Sequence, residues 1–312
     1  MNLLTNANVN HWLLSDDRKI MIDLPTDFNI NANLGYLGRN NNECMFEIEN
    51  GTITRVIKTS TSHRLVQLQV NEKNQMIVQF IESSPPAPAE KTEAVRFIYE
   101  WFDLDRDLMT FYNMAKVDPL LKIPVQEFQG LRVIGVPDLF EALCWGILGQ
   151  QINLAFAYTL KRQFVERFGS SIDIDSKKYW IFPSFKQVAK LTPVDLKDIK
   201  MTVKKSEYII GVAQLMASGE LSKEKLMDMD FKEAEKSLIK IRGIGPWTAN
   251  YVLMRCLRFP EAFPIDDVGL HNAIKFLMGS EKKPTKDELN ELSLKWTGWQ
   301  AYATFYLWRV LY

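Results

Sequence analysis

The stretch Leu238-Ile239-Lys240-Ile241-Arg242-Gly243-Ile244-Gly245-Pro246-Trp247-Thr248-Ala249-Asn250-Tyr251 decides how this chain is read. One helix ends at a Gly-X-Gly turn, and Pro246 stands where the first residue of a second helix belongs. The two glycines permit a backbone too tight for side chains and leave amide groups bare at a helix N-terminus. Such a turn can hold a phosphate. It also serves as a plain corner between packed helices, and Gly-X-Gly alone does not separate the two readings.

Outward from this turn the pattern is helical in both directions. Pro137-Asp138 opens a segment in which Leu139, Leu143 and Ile147, and again Phe140, Cys144 and Leu148, fall four apart, predicting a central helix with a broad buried face. Further helices are expected over 155–168, 184–190, 193–199, 204–217, 232–239, 246–257, 268–278, 286–294 and 300–310. Towards the N-terminus the signal changes. Short apolar runs between Cys44 and Ile81, broken at Asn50–Gly51, Ser60–Thr61 and 71–74, predict an antiparallel sheet. The Pro-rich run 83–89 is a loop, and a helix is expected over 90–109. The expected fold is mainly α: a small antiparallel-sheet α+β domain over 1–115, then a helical domain over 116–312.

A chain of 312 residues, 46% apolar and 24% charged, belongs with globular proteins large enough to bury a core without disulfides. Its three cysteines, Cys44, Cys144 and Cys256, are scattered singly, which fits neither a disulfide framework nor a thiolate metal site. No metal is expected, and a reducing cytoplasm is the expected home. The first twenty residues carry His11, Asp16 and Asp17 instead of a basic start and apolar run, so no signal peptide is expected. The longest apolar stretch, Leu139 to Leu160, is interrupted by Glu141, Gln150, Gln151 and Asn153, which argues against a membrane span. Lys and Arg total 38, as do Asp and Glu. The balance is uneven along the chain: residues 1–115 hold 10 basic and 15 acidic side chains, leaving 28 and 23 for the rest. The C-terminal part is the better partner for a polyanion.

The hairpin is followed about twenty residues later by Phe263-Pro264-Ile265-Asp266-Asp267-Val268-Gly269-Leu270. This pairing resembles the helix–hairpin–helix DNA glycosylase superfamily, and within it the DNA-3-methyladenine glycosylase II family. The likeness extends upstream through Phe140-Glu141-Ala142-Leu143 and Ile147-Leu148-Gly149-Gln150-Gln151-Ile152, and takes in Leu104-Asp105 and Asp118-Pro119-Leu120-Leu121. It covers most of 100–312, with a looser likeness to the family's small sheet domain before that. It implies an enzyme of base excision repair that flips alkylated, and other destabilised, bases out of double-stranded DNA and hydrolyses their N-glycosidic bond; a monomer is expected, since engaging one lesion demands no more.

The resemblance places the catalytic aspartate on Asp267 and base-pocket aromatics on Trp247, Tyr251 and Trp299. The residue that fills the gap in the duplex falls on Gln151, with backbone contacts at Gly243, Gly245 and Thr248. Chemistry supports a single carboxylate, because cleavage develops positive charge on the deoxyribose and a fixed anion stabilises that charge. The plain reading is that Asp266-Asp267 only caps the next helix. Electron-rich rings would favour a cationic alkylated base. Core packing is preferred for Trp296, Phe305 and Trp308, and a structural role for His271. Lys204, Lys205 and Arg242 are candidates for supporting charge. The one cofactor the resemblance allows is a monovalent cation on the hairpin carbonyls. Superfamily members that also cut the strand carry a lysine where this chain has Trp247, and indole cannot form a Schiff base, so an enzyme without lyase activity is implied. Two rival readings stay open: an oxidised-guanine glycosylase on the same scaffold, and a non-catalytic helix–hairpin–helix DNA-binding module.

Overall fold

The structure, a computed structural model, describes residues 12–82 and 84–311. His11 and the first eleven positions of the signal-peptide reading lie outside the described residues, as does Ser83 of the Pro-rich loop. The N-terminal part runs β1 (Trp12–Asp16), β2 (Lys19–Asp23), α1 (Ile30–Leu37), β3 (Phe46–Glu49), β4 (Thr52–Lys58), β5 (His63–Val70), β6 (Gln75–Phe80) and α2 (Pro88–Phe102). The strands form one antiparallel sheet in the order β1-β2-β6-β5-β4-β3. Alternation drives it: Met76, Val78 and Phe80 of β6 are buried and the residues between them half-buried, so one face packs inward. The sequence reading found the later strands but not β1, β2 or α1, whose polar and apolar residues mix without a clear period.

The expected helix over 90–109 is shorter. It ends at Phe102, because Asp103 takes a left-handed conformation (φ 47°) that stops the helix and turns its carboxylate into a buried cluster. Beyond it come α3 (Met109–Ala115), α4 (Lys122–Glu127), α5 (Leu139–Leu148) and α6 (Leu154–Phe168). The chain then departs from the all-helical expectation with a two-stranded hairpin, β7 (Ser170–Ile174) and β8 (Lys177–Ile181). Its two-residue turn, Asp175-Ser176, has φ of 49° and 64°, the left-handed pair that matches strand twist. The helix expected over 193–199 is reduced to a single 3₁₀ turn, Lys197–Ile199.

The remaining elements are α7 (Phe185–Val188), α8 (Val203–Ala217), α9 (Lys223–Met227), α10 (Phe231–Ile239), α11 (Pro246–Arg255), α12 (Val268–Leu277), α13 (Lys286–Lys295) and α14 (Gln300–Arg309). Helix α5 is buried almost all round, as its sequence predicts, and α14 is equally enclosed. One continuous buried cluster runs from Ile20 in β2 to Trp308 in α14, crossing residue 115 without a break. No helix among the described residues is long and apolar enough to cross a membrane.

Candidate active site

The hairpin between α10 and α11 is fixed by its glycines. Gly243 has φ +91°, and a Cβ there would stand 2.2 Å from the ring of Tyr208, so both conformation and space demand glycine. Gly245 caps α11 with no side chain, and Pro246 follows at the first helical position. Gln150, just past α5, donates from Nε2 to the Gly243 carbonyl at 2.8 Å and to Thr248 Oγ1 at 3.2 Å. Gly146 of α5 is where Thr248 packs: a Cβ there would meet Thr248 Cγ2 at 2.6 Å. The end of the central helix and the hairpin are therefore one unit.

Asn250 carries the positioning onward. Its Oδ1 accepts from the Phe263 amide at 2.9 Å, anchoring to α11 the loop that leads into Asp267. Asp267 is the N-cap of α12, and its Oδ1 accepts from the Leu270 amide at 2.7 Å. The same oxygen accepts from Trp308 Nε1 at 2.8 Å, while Oδ2 accepts from Trp247 Nε1 at 2.8 Å. Capping and site chemistry thus coincide in one side chain: the helix amide and two indoles leave the carboxylate little rotational freedom. Gly269 makes the arrangement possible, since a Cβ there would lie 3.0 Å from Asp267 Oδ1 and 3.4 Å from Trp308 Cδ1. Asp266 is exposed and pairs with Lys286 at 2.8 Å.

Asp267 lines a cleft of about 900 Å³ whose other walls include Trp247, Tyr251, Trp308, Trp145, Tyr36 and Arg39. The Trp247 and Tyr251 rings stack with centroids 5.7 Å apart and planes 24° apart, as their four-residue spacing on α11 predicts. Tyr251 is buried, which pushes its phenol above its ordinary pKa and keeps it neutral. Gln151 stands at the cleft, exposed and left-handed (φ 56°), immediately after the helix end. The cleft thus gathers a fixed carboxylate, a stacked aromatic wall and a protruding polar side chain within reach of a bare-amide turn. That set suits extraction of a planar group and chemistry on a carbon beside it.

Several expected roles are corrected by this geometry. Trp299 does not line the cleft; it precedes α14, at the opposite end of that helix from Trp308, and its ring packs against Phe111 and Tyr302, at 5.7 and 5.8 Å. The Thr248 side chain is only 1% exposed and faces Gly146, so its hydroxyl supports the hairpin from within, while the backbone contact expected at this residue concerns its amide in the first turn of α11. Lys205 is buried too, donating to the Leu148 carbonyl at 2.7 Å, and burial lowers its pKa. Arg242 is exposed but paired with Glu207 at 2.8 Å, while Lys204 is exposed. His271 Nε2 bonds to the Ile265 carbonyl at 2.6 Å, a structural contact. Trp308 is in the core as expected, 8% exposed, and its indole also reaches back to Asp267, a contact that nothing at the chain terminus reveals in the sequence. Tyr36 and Arg39, from the sheet-bearing part, were equally hidden. Among the described residues no group of three or more His, Cys, Asp or Glu is placed to hold a metal ion.

Comparison with known proteins agrees with this geometry. Residues 144–298 match the family model for HhH-GPD superfamily base excision DNA repair proteins, and residues 21–143 match that for the 8-oxoguanine DNA glycosylase N-terminal domain. The chain is 68% identical over 294 residues to DNA-3-methyladenine glycosylase of Bacillus subtilis (strain 168), covering 94% of this chain and 97% of that protein. Its fold is similar to that of 3-methyladenine DNA-glycosylase from Archaeoglobus fulgidus, with TM-score 0.81 and 23% identity over 92% of this chain and 96% of that one. It is also similar to the Clostridium acetobutylicum 8-oxoguanine glycosylase/lyase solved with double-stranded DNA, with TM-score 0.74 and 20% identity over 94% of each chain. The chain belongs to the DNA-3-methyladenine glycosylase II family of the helix–hairpin–helix base excision repair superfamily.

Proposed function

We propose that this protein is a DNA glycosylase that removes alkylated bases from double-stranded DNA by base flipping and hydrolysis of the N-glycosidic bond. The observation that carries the reading is Asp267, held at an aromatic cleft by Trp247, Trp308 and the Leu270 amide. A nucleotide everted into the cleft stacks its base on the Trp247 and Tyr251 wall while Gln151 occupies the gap left in the duplex. The amides around Gly243 and Gly245 grip a nearby phosphate. As the bond between C1′ and the base nitrogen breaks, its electron pair leaves with the base and positive charge grows on the sugar. The Asp267 carboxylate stabilises that charge, water adds its oxygen to C1′, and the released proton passes to solvent or to the carboxylate. The products are free base and an abasic site.

Trp247 occupies the position at which a Schiff-base lysine would stand, so the abasic strand stays intact. A monovalent cation on the hairpin would add to the phosphate grip. The Gly243 carbonyl already accepts the Gln150 amide, which directs such an ion to the other carbonyls of the turn. The enzyme works as a monomer in the cytoplasm. The match of residues 21–143 to an 8-oxoguanine glycosylase domain favours one second reading, a glycosylase of oxidised guanine. A panel of duplexes carrying methylated purine, hypoxanthine or oxidised guanine separates the two. Release of methylated purine by the wild type, with loss of release but retained DNA binding in Asp267→Asn, is the expected result. Binding without release of any base by the wild type would leave only a DNA-binding module.

A further inference from the structure

Lys205 is a buried cation that does not line the cleft. It sits in the first turn of α8, where its amide donates to the Thr202 hydroxyl at 3.3 Å. A positive charge there opposes the dipole of its own helix. Burial disfavours the charged form, and no carboxylate stands beside it among the described residues to offset that. What the ammonium does reach is another helix. Nζ donates at 2.7 Å to the carbonyl of Leu148, the last residue of α5. That carbonyl is one of the groups a helix end leaves without an intrahelical partner, and no backbone amide among the described residues bonds to it. Three residues further on stands Gln151, in a left-handed conformation (φ 56°) that residues other than glycine adopt sparingly. The chain between is short and tied on both sides. The Gly149 amide donates back to the Trp145 carbonyl at 3.0 Å and the Gln150 amide to the Ile147 carbonyl at 3.3 Å, while the Gln150 side chain reaches the Gly243 carbonyl of the hairpin. Lys205 thus anchors this turn to α8 as Gln150 anchors it to the hairpin.

We infer that Lys205 is a positioning residue for Gln151: by holding the Leu148 carbonyl it fixes the turn that presents Gln151 to the duplex, and base-pair opening depends on it through that turn. The inference rests on the glycosylase reading, with Gln151 filling the gap in the duplex, and deepens it. A side chain inserted into stacked DNA works best on a backbone that is already fixed, because freedom left in the turn is lost on insertion and subtracts from the gain. A charge-assisted hydrogen bond at the end of α5 supplies that fixity, and the cation also suits the negative end of that helix. Arginine keeps both the charge and an N–H donor, whereas methionine keeps the length and neither.

Single-turnover excision by the full-length protein tests this on one oligonucleotide carrying 7-methylguanine, used as a duplex with cytosine opposite and as a single strand. Lys205→Met is expected to slow release from the duplex about tenfold and to leave release from the single strand, which has no pair to open, within about twofold. Lys205→Arg should restore most of the duplex rate. In a double-mutant cycle on the duplex, Gln151→Ala should cause a similar fall, to which Lys205→Met adds little. Lys205→Gln, one bond shorter and polar, serves the same tests if the methionine variant does not fold, and the cycle alone decides if the wild type acts on the duplex only. An equal fall on duplex and single strand overturns the inference, because it marks a residue that only supports the fold. So do an unchanged duplex rate and losses that add in the cycle; a shallower salt dependence beside such losses marks a direct phosphate contact. Full duplex activity in Gln151→Ala overturns the gap-filling role and the inference with it, whereas release of no base by the wild type overturns the glycosylase reading itself.

Discussion

At the scale of single residues, Asp267 shows how one carboxylate can cap a helix and also take the charge-stabilising role proposed for it. The Leu270 amide and Trp308 indole hold Oδ1, and Trp247 holds Oδ2. Trp308→Phe keeps an aromatic ring while removing the indole N–H together with its five-membered ring. A hydrogen bond to a charged acceptor is worth about 1.5–3 kcal/mol, so kcat is expected to fall roughly ten- to hundredfold. KM should change little if Trp308 acts by positioning the carboxylate; a rise in KM with kcat intact would show a substrate contact instead. Gly269→Ala makes a complementary test. Alanine favours a helix over glycine by up to about 1 kcal/mol, yet its Cβ would press on Asp267 Oδ1 at 3.0 Å. Thermal melting should stay level or rise while excision falls.

Between elements, the decisive contact is that of α5 with α11. Gly146 admits the Thr248 methyl to 2.6 Å of where a Cβ would stand, and Gln150 spans to the hairpin carbonyl. Overpacking of this kind costs roughly 1–3 kcal/mol, so Gly146→Ala should lower the denaturation midpoint. Adding Thr248→Ser, which deletes the methyl and keeps the hydroxyl for Gln150, should recover most of the loss; additive losses in the double-mutant cycle would show that the two residues do not share this contact. The helices that build this contact were legible because their apolar residues repeat every three to four positions. The β7–β8 hairpin was legible in principle, since Ile172, Ile174, Tyr179 and Ile181 alternate around Asp175-Ser176. It was missed because a short strand pair amid strong helical signals looks like a loop.

Across the whole molecule, the junction between the two parts is stapled by a buried charge cluster. Asp103, at the end of α2, accepts from Arg106 Nε at 2.7 Å, from Arg258 Nε at 2.5 Å and from the Tyr302 hydroxyl of α14 at 2.6 Å. Burial opposes its charge, but the two guanidiniums and the hydroxyl outweigh that and bring its pKa to about 2, below the usual 3.8. Glu90, bonded to Arg64 and Ser62, is likewise held at about 2. Both folded pKa values are depressed, so the unfolded chain binds more protons on the acid side. The stability these groups contribute is complete above about pH 5 and is lost as pH falls from there through about 2. Acid titration of the urea midpoint should show the loss in that window, and Asp103→Asn should flatten it. The same variant should cost about 3 kcal/mol at neutral pH, because it strands buried cations.

The local chain determined a good deal by itself. Gly-X-Gly-Pro favours a tight turn into a helix, the four-residue spacing of Trp247 and Tyr251 puts them on one face, and the indole of Trp247 cannot itself form a Schiff base. Those are consequences of backbone conformation and side-chain chemistry over a few residues. Only the folded chain could decide that Trp308 reaches Asp267 from 41 positions away, that the Thr248 side chain and Trp299 lie outside the cleft, and that Arg39 lines it. Such contacts depend on where the packed core sets one helix against another, and no local period encodes that distance.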